Sequence, residues 1–396
     1  MRELERQFPR EIAIVGVESG KFIAERETPR IREAALRLDN LHPIVNDRQF
    51  RIWRSYAVRA WPTVVAIDPT GYVVGSHAGE FTSEMLEPFV ERLIGAFDPD
   101  SLIDRTPRHF PPDEPAIAPG VLRYPGKVTI DGDRIAIADS GHDRVLVGRL
   151  GQGGSAMRVE REFNGLASPQ GVAFAGDRLY IADRANHRVV VGDLASGTME
   201  PIAGRISSPW DLTVVGRAVY VAGAGRHQIW RIEGGHASLF AGAPGEDIVD
   251  GPAQAALLAQ PMGIIGGGDR VDFVDAESSA VRALTLGADA RVQTIVGTGL
   301  FDFGDKDGVG DEVRLEHPQG ITRHPDGRLL IADSYNDAIK WVDPATRRVD
   351  TWVRGLAEPS GVVYHDGKVY VADTNAHRVA IIDEATGRVD TLSVVT

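Results

Sequence analysis

Apolar and polar positions follow two different rhythms along this chain. In residues 1–97, short apolar runs alternate with stretches of helical spacing. The run EIAIVGV at residues 11–17 reads as a strand. Thr28-Pro29 then opens a helix, with Thr28 as its cap and Pro29 in its first turn. Ile31, Ala34, Ala35 and Leu38 supply that helix with an apolar stripe. TVVAI at residues 63–67 is a second strand, Asp68-Pro-Thr-Gly71 a turn, and residues 72–76 the returning hairpin partner. Ser83 caps a last helix whose apolar face is Met85, Leu86, Phe89, Val90 and Leu93. This alternation predicts an α/β domain. Residues 98–120 hold six prolines and no sustained period, which predicts a semi-rigid linker.

From residue 121 to 396 the pattern becomes all-β and repeats. The clearest copies are SPQGVAFAGDRLYIADRANHRVVVGDLASG, HPQGITRHPDGRLLIADSYNDAIKWVDPAT and EPSGVVYHDGKVYVADTNAHRVAIIDEATG. Aligned on their leading prolines, the copies start at Pro125, Pro169, Pro209, Pro261, Pro318 and Pro359. The residue closing the second strand is then Asp139, Asp183, Gly223, Asp275, Asp333 and Asp373. That offset is 14 residues in five copies and 15 in the other, while the copies are spaced 40 to 57 apart. The inner part of each unit is fixed, so length variation falls on the outer connections. A period of about 40–50 residues with several short strands per unit predicts a β-propeller, here of six blades. Four copies place a glycine two residues after the proline, at 171, 263, 320 and 361, as a crowded innermost strand requires. Residues 243–259 and 298–316 are insertions, each expected to run from a Gly-rich loop through Asp-Gly into a short apolar helix. Both join the outer strand of one blade to the inner strand of the next. They therefore share one rim, where binding surfaces tend to form.

Composition narrows the partners. Net charge is −13, which argues against nucleic acid and against an anionic membrane surface. There is no cysteine, so the chain's own residues offer no disulfide, thiolate ligand or thiol nucleophile. The opening MRELERQFP has no apolar signal core, and no run approaches 18 apolar residues, so a soluble, cytoplasmic protein is expected.

The unit SPQGVAF…RLYIADRANHRVVV resembles the NHL repeat; PWDLTVVGRAVYVAGAGRHQIW and PMGIIGGGDRVDFVDAESSAVR are degenerate copies of it. Residues 46–80, NDRQFRIWRSYAVRAWPTVVAIDPTGYVVGSHAGE, resemble the second half of a thioredoxin-like fold, including its cis-proline turn. The pairing of the two is similar to the thioredoxin-like/NHL-repeat proteins over nearly the whole chain. In that family a strand and a Cys-x-x-Cys precede the equivalent of ELERQFPREIAIVGV. The expectation is that in-frame sequence upstream of Met1 encodes them. Without that strand, the facing edges of two strands lose their partner.

The resemblance implies that Trp61, Pro62 and Thr63 form a cis-proline cleft; a plain proline at the first residue of a strand is the simpler alternative. Asp139, Asp183, Asp275, Asp333 and Asp373 read as repeat-structural carboxylates that satisfy turn amides, against a ring that binds a cation. His142, His187, His227 and His377 recur nearby, but blade repetition spreads them on a wide ring and does not gather them on a metal. Asp302-Phe-Gly-Asp-Lys-Asp-Gly308 faintly resembles a calcium loop but lacks the glutamate at its twelfth position. Ser140, Ser278 and Ser334 lack the strand–elbow–helix setting of a nucleophile. No cofactor is expected. The leading expectation is an interaction scaffold that takes a protein or small ligand at the propeller rim or channel. A thiol-disulfide oxidoreductase whose CxxC lies upstream is the alternative, and a metal-dependent propeller lyase or hydrolase a weaker one.

Overall fold

The computed structural model describes residues 1–396 apart from Leu41, Glu80, His109, Pro111 and Pro112 and the side chain of Arg2. His109, Pro111 and Pro112 belong to the expected linker, so that part of it lies outside the described residues. The chain divides into two compact units, Met1–Ala116 and Ile117–Thr396.

The first unit contains helices α1 (Arg2–Gln7), α2 (Thr28–Arg37), α3 (Arg51–Ser55) and α4 (Ser83–Phe97). Strand β1 (Gly16–Glu18) pairs in parallel with β2 (Ile44–Asn46). Strand β3 (Thr63–Ile67) pairs antiparallel with β4 (Val73–Ala78). These are two separate two-stranded sheets. The strand expected at residues 11–17 is thus only three residues long, because among the described residues β2 alone pairs with it, and only over Gly16–Glu18. Thr28 is the first helical residue, not the cap, and its hydroxyl instead accepts from the Asn46 side chain at 2.9 Å. Leu4, Phe22 and Ala24 are buried, but Val15, Val17, Val45 and Ile67 remain exposed.

The second unit is a six-bladed propeller. Blade two is typical: Pro169–Ala175 innermost, then Arg178–Asp183, Arg188–Asp193 and Met199–Gly204, each antiparallel to the last. Gly176 makes the first turn at φ 59, a backbone conformation costly for most side chains. A four-stranded sheet has two apolar faces and cannot bury both alone. The ring solves this by burying apolar side chains at every seam. Phe163, Leu179 and Ile181 fill the seam of blades one and two, and Leu330, Ile339 and Val371 that of five and six.

Blade one (Val128–Asp131, Arg134–Asp139, Arg144–Leu150, Ala156–Phe163) gains a fifth strand from the chain's last residues. After Val389–Thr391 closes blade six, Ser393–Val395 crosses to pair in parallel with Ala156, Met157 and Arg158. Leu392 between them is buried in the seam beside Met157 and Ile381.

The insertions also enter the seams. Ala253, Ala256 and Leu258 join the core between blades three and four, and Val313 and Leu315 that between four and five. The expected short helices are absent. Residues 253, 256, 258 and 259 are buried, and Val249 and Leu257 exchange backbone hydrogen bonds of 3.1 and 3.2 Å. Those cross-links use the groups a helix would need. The second insertion forms only a 3-10 turn, Gly310–Glu312. Each insertion adds a two-residue strand to the outer edge of its blade: Gly251–Pro252 on Arg291–Val296, and Gly308–Val309 on Arg348–Arg354.

Candidate functional site

Two sets of repeated polar residues organise the insertion-bearing face of the ring. The first is the buried aspartate that ends each second strand. Oδ1 of Asp139, Asp183, Asp275, Asp333 and Asp373 accepts the backbone N–H of Arg123, Ala167, Ala259, Glu316 and Ala357, at 2.6–2.9 Å. Oδ2 meets a cation. In blades one, two and six that cation is five residues on: Arg144, Arg188 and Arg378, at 2.6–2.8 Å. In blades four and five it is seven residues on: Arg282 at 2.9 Å and Lys340 at 3.2 Å, both fully buried. Positions five and seven lie on the same face of a strand. The longer reach brings the cation to the insertions. Arg282 also donates to Asp250 Oδ1 at 3.0 Å, and Lys340 to Asp305 at 2.7 Å. Blade three carries Gly223 in place of the acid and Gln228 and Trp230 in place of the cation, so acid and cation are lost together. Burial pushes the Asp333 carboxyl up to about 6 and raises Asp275 too, and Lys340 and Arg282 oppose the shift.

The second set sits four residues after that position, at Asp143, His187, His227, Ser279, Asp337 and His377. All six have φ between 49 and 57. Each side chain accepts the backbone N–H of the residue before the next blade's proline. The donors are Ser168, Ser208, Gln260, His317, Glu358 and Tyr124, at 2.7–3.2 Å. The histidines therefore aim Nδ1 at neighbouring backbone, each at its own seam. His142 instead places Nδ1 2.9 Å from Asp139 Oδ2. In the loop that resembled a calcium site, Asp305 also meets Arg354, and Asp307 accepts from the Thr351 N–H and hydroxyl at 2.8 Å. Among the described residues no group of three or more His, Asp or Glu side chains is arranged to hold a metal ion.

The channel holds what the repeat alignment overlooked. Two residues after the leading proline, a Cβ on Gly171 would lie 2.6 Å from the Asp211 Cα, and one on Gly361 2.9 Å from the Lys127 Cα. In the remaining two copies that position is Lys127 and Asp211. Their charges are opposite, and they are the two departures from glycine; that was the available signal. The pair spans the channel at 3.9 Å, both side chains buried. Lys127 Nζ also donates to the carbonyls of Gln319 and Ser360. Asp211 accepts the amides of Leu212 at 2.9 Å and Ile264 at 3.2 Å. Burial pulls the Lys127 ammonium down to about 8 and pushes the Asp211 carboxyl up to about 6. Beyond the pair lies a cavity of about 270 Å³, walled by all six innermost strands as far as Asp131, Phe174 and Val214.

On the insertions, Val249, Phe301 and Val309 are exposed, Phe301 at 68%. The straps beneath are equivalent in the two insertions. Asp250 accepts from the Thr294 N–H and hydroxyl at 2.8 Å, as Asp307 does from Thr351.

In the first unit, the Trp61–Pro62 peptide is cis. Trp61 donates Nε1–H to the Ser19 carbonyl at 2.8 Å and packs on Trp53 at 4.4 Å between ring centroids. The Thr63 hydroxyl donates to the Ala60 carbonyl at 2.6 Å. Buried Asp47 caps α3 through the amides of Arg51, Ile52 and Trp53. Burial, with Glu25 nearby, pushes the Glu18 carboxyl up to about 7. Among the described residues no helix is long and apolar enough to cross a membrane.

The NHL repeat family model matches residues 166–191 and 356–382, in blades two and six. The chain is 34% identical over 409 residues to Protein SUPPRESSOR OF QUENCHING 1, chloroplastic, of Arabidopsis thaliana, covering 88% of this chain and 39% of that protein. It is 33% identical over 426 residues to NHL repeat-containing protein 2 of Gallus gallus, covering 92% and 58%. The chain spans about half the length of the curated relatives it matches. Among solved structures, an auxiliary nutrient binding protein from Bacteroides ovatus superposes with a TM-score of 0.53 at 12% identity, covering 67% of this chain and 69% of that one. At that identity the likeness speaks for the fold alone.

Proposed function

We propose that this NHL-repeat β-propeller protein is an interaction scaffold that binds a protein partner on the face bearing its two insertions. One observation carries the reading. The insertions are strapped to their blades by Asp250 and Asp307, yet Val249, Phe301 and Val309 keep much of their apolar surface exposed. Holding a loop rigid before binding removes an ordering cost, and exposed apolar side chains on it supply desolvation energy to a partner. The N-terminal unit is read as a thioredoxin-like adaptor attached to this scaffold. The test compares proteins that co-purify with the 396-residue chain and with its Phe301→Ser/Val309→Ser variant. Loss of specific partners supports the reading, and an unchanged set at unchanged occupancy counts against it.

Among the described residues β1 and β3 each pair on one side, which favours a second reading, a thiol-disulfide protein in which another segment supplies a strand and cysteines, since these residues contain none. Insulin reduction by the full natural polypeptide tests it, and no turnover there removes it.

A further inference from the structure

We propose that the propeller channel is a binding site for a small uncharged molecule with one hydroxyl group, its polar end between Lys127 and Asp211 and its apolar body along the innermost strands. This site lies inside the ring of innermost strands and does not depend on the scaffold reading.

The floor sets the polar end. A charge-assisted N–H···O bond is about 2.7–2.9 Å long. Lys127 and Asp211 stand 3.9 Å apart, held there by the backbone groups each already binds. The ammonium faces the channel as a donor and the carboxylate as an acceptor. A hydroxyl accepts from the first and donates to the second. The pair is neutral overall. A ligand carboxylate would match Lys127 and oppose Asp211, and a ligand ammonium would do the reverse, leaving an uncompensated charge in a desolvated place.

The walls set the rest. Val172, Phe174, Ile265 and Val363 give apolar surface, and Thr129 and Thr322 add hydroxyls further along. The volume of about 270 Å³ falls just below the range for drug-sized pockets, roughly 300–1,000 Å³, which limits the ligand to a small one.

Ring closure does not call for this pair. Glycine serves the same position in four blades. Two buried charges cost desolvation that apolar residues avoid.

The experiment uses the whole 396-residue chain and three probes of one shape: cyclohexylmethanol, cyclohexanecarboxylate and cyclohexylmethylamine. Saturation-transfer NMR and calorimetry read binding. The alcohol is expected to bind at least tenfold tighter than the acid or the amine, and to lose at least tenfold in Lys127→Met. Val363→Phe fills the cavity and leaves the pair in place, so it decides the matter if Lys127→Met does not fold; it too is expected to lose the alcohol. Phe301→Ser should bind the alcohol like the unaltered protein, which separates this site from the scaffold surface. No binding of the alcohol, tighter binding of the acid or the amine, or full binding by Val363→Phe overturns the proposal.

Discussion

His377 and Tyr124 stand 253 positions apart in sequence and are joined at 3.0 Å, with the imidazole Nδ1 accepting the tyrosine's backbone N–H. Their rings also meet edge to face at 4.3 Å. This is the last of six equivalent links, and it ties the final blade to the first. His377→Leu removes the acceptor and leaves a buried amide unpaired, at a cost of about 1–3 kcal/mol. His377→Asp should recover most of that loss, because Asp143 and Asp337 make the same bond at two other seams. Urea unfolding midpoints distinguish the two variants. Equal loss in both would mean that the ring contact and not the bond holds this seam.

The strap at the chain's end makes a second link across the same seam. Deleting residues 392–396 removes the Ser393–Val395 strand and the buried Leu392 side chain. Exposing one leucine alone is worth about 1.5–3 kcal/mol. Loss of the pairing adds to it, so the melting temperature should fall and limited proteolysis should begin near Val389–Thr391. A melting temperature equal to that of the unaltered protein would show the strap to be idle.

The cation shared by blade and insertion should show strong coupling. Arg282→Met leaves Asp275 buried without its cation, an error worth about 3–5 kcal/mol. Adding Asp275→Asn removes the stranded charge, so the double variant should be more stable than Arg282→Met alone. Blade three already works without either charge. A double variant less stable than the single would refute the pairing as the source of the cost.

The channel pair leaves a signature in pH. Asp211 titrates near 6 when folded, above its ordinary range, so its stabilising effect is present at low pH and is lost as pH rises toward 6. Lys127 titrates near 8, below its ordinary range, so its effect is regained as pH rises above 8. The difference in unfolding free energy between the unaltered protein and Lys127→Met/Asp211→Asn should therefore be lowest between about pH 6 and 8. A flat difference from pH 4 to 10 would contradict a desolvated pair.

Much of the ring was legible because repetition exposes it. The 14-residue offset from leading proline to closing aspartate is the distance along one hairpin, so it located the two inner strands of each blade. The six seam links were harder to read, because Asp, His and Ser all accept the same amide and the common requirement is a left-handed backbone. Lys127 and Asp211 were illegible for the opposite reason: the position is glycine in four copies, and its two charged occupants lie 84 residues apart with no motif around either. The insertion helices failed because the helical turn after Pro252 stops where Leu257 pairs its backbone with Val249, a partner eight residues back that helical spacing does not reveal. In the N-terminal unit, EIAIVGV has strand composition, but strand length depends on partners that lie elsewhere in sequence.

Site-specific photo-crosslinking tests the scaffold most directly. A photoreactive phenylalanine analogue is placed at Phe301, 68% exposed on the second insertion, and in a control at Asp366, whose side chain is 91% exposed in the first turn of blade six at the far end of the sheet. The expected result is a discrete protein adduct from position 301, lost with Val309→Ser, and none from position 366. No adduct at 301, or the same adducts from both positions, would contradict a binding face built on the insertions.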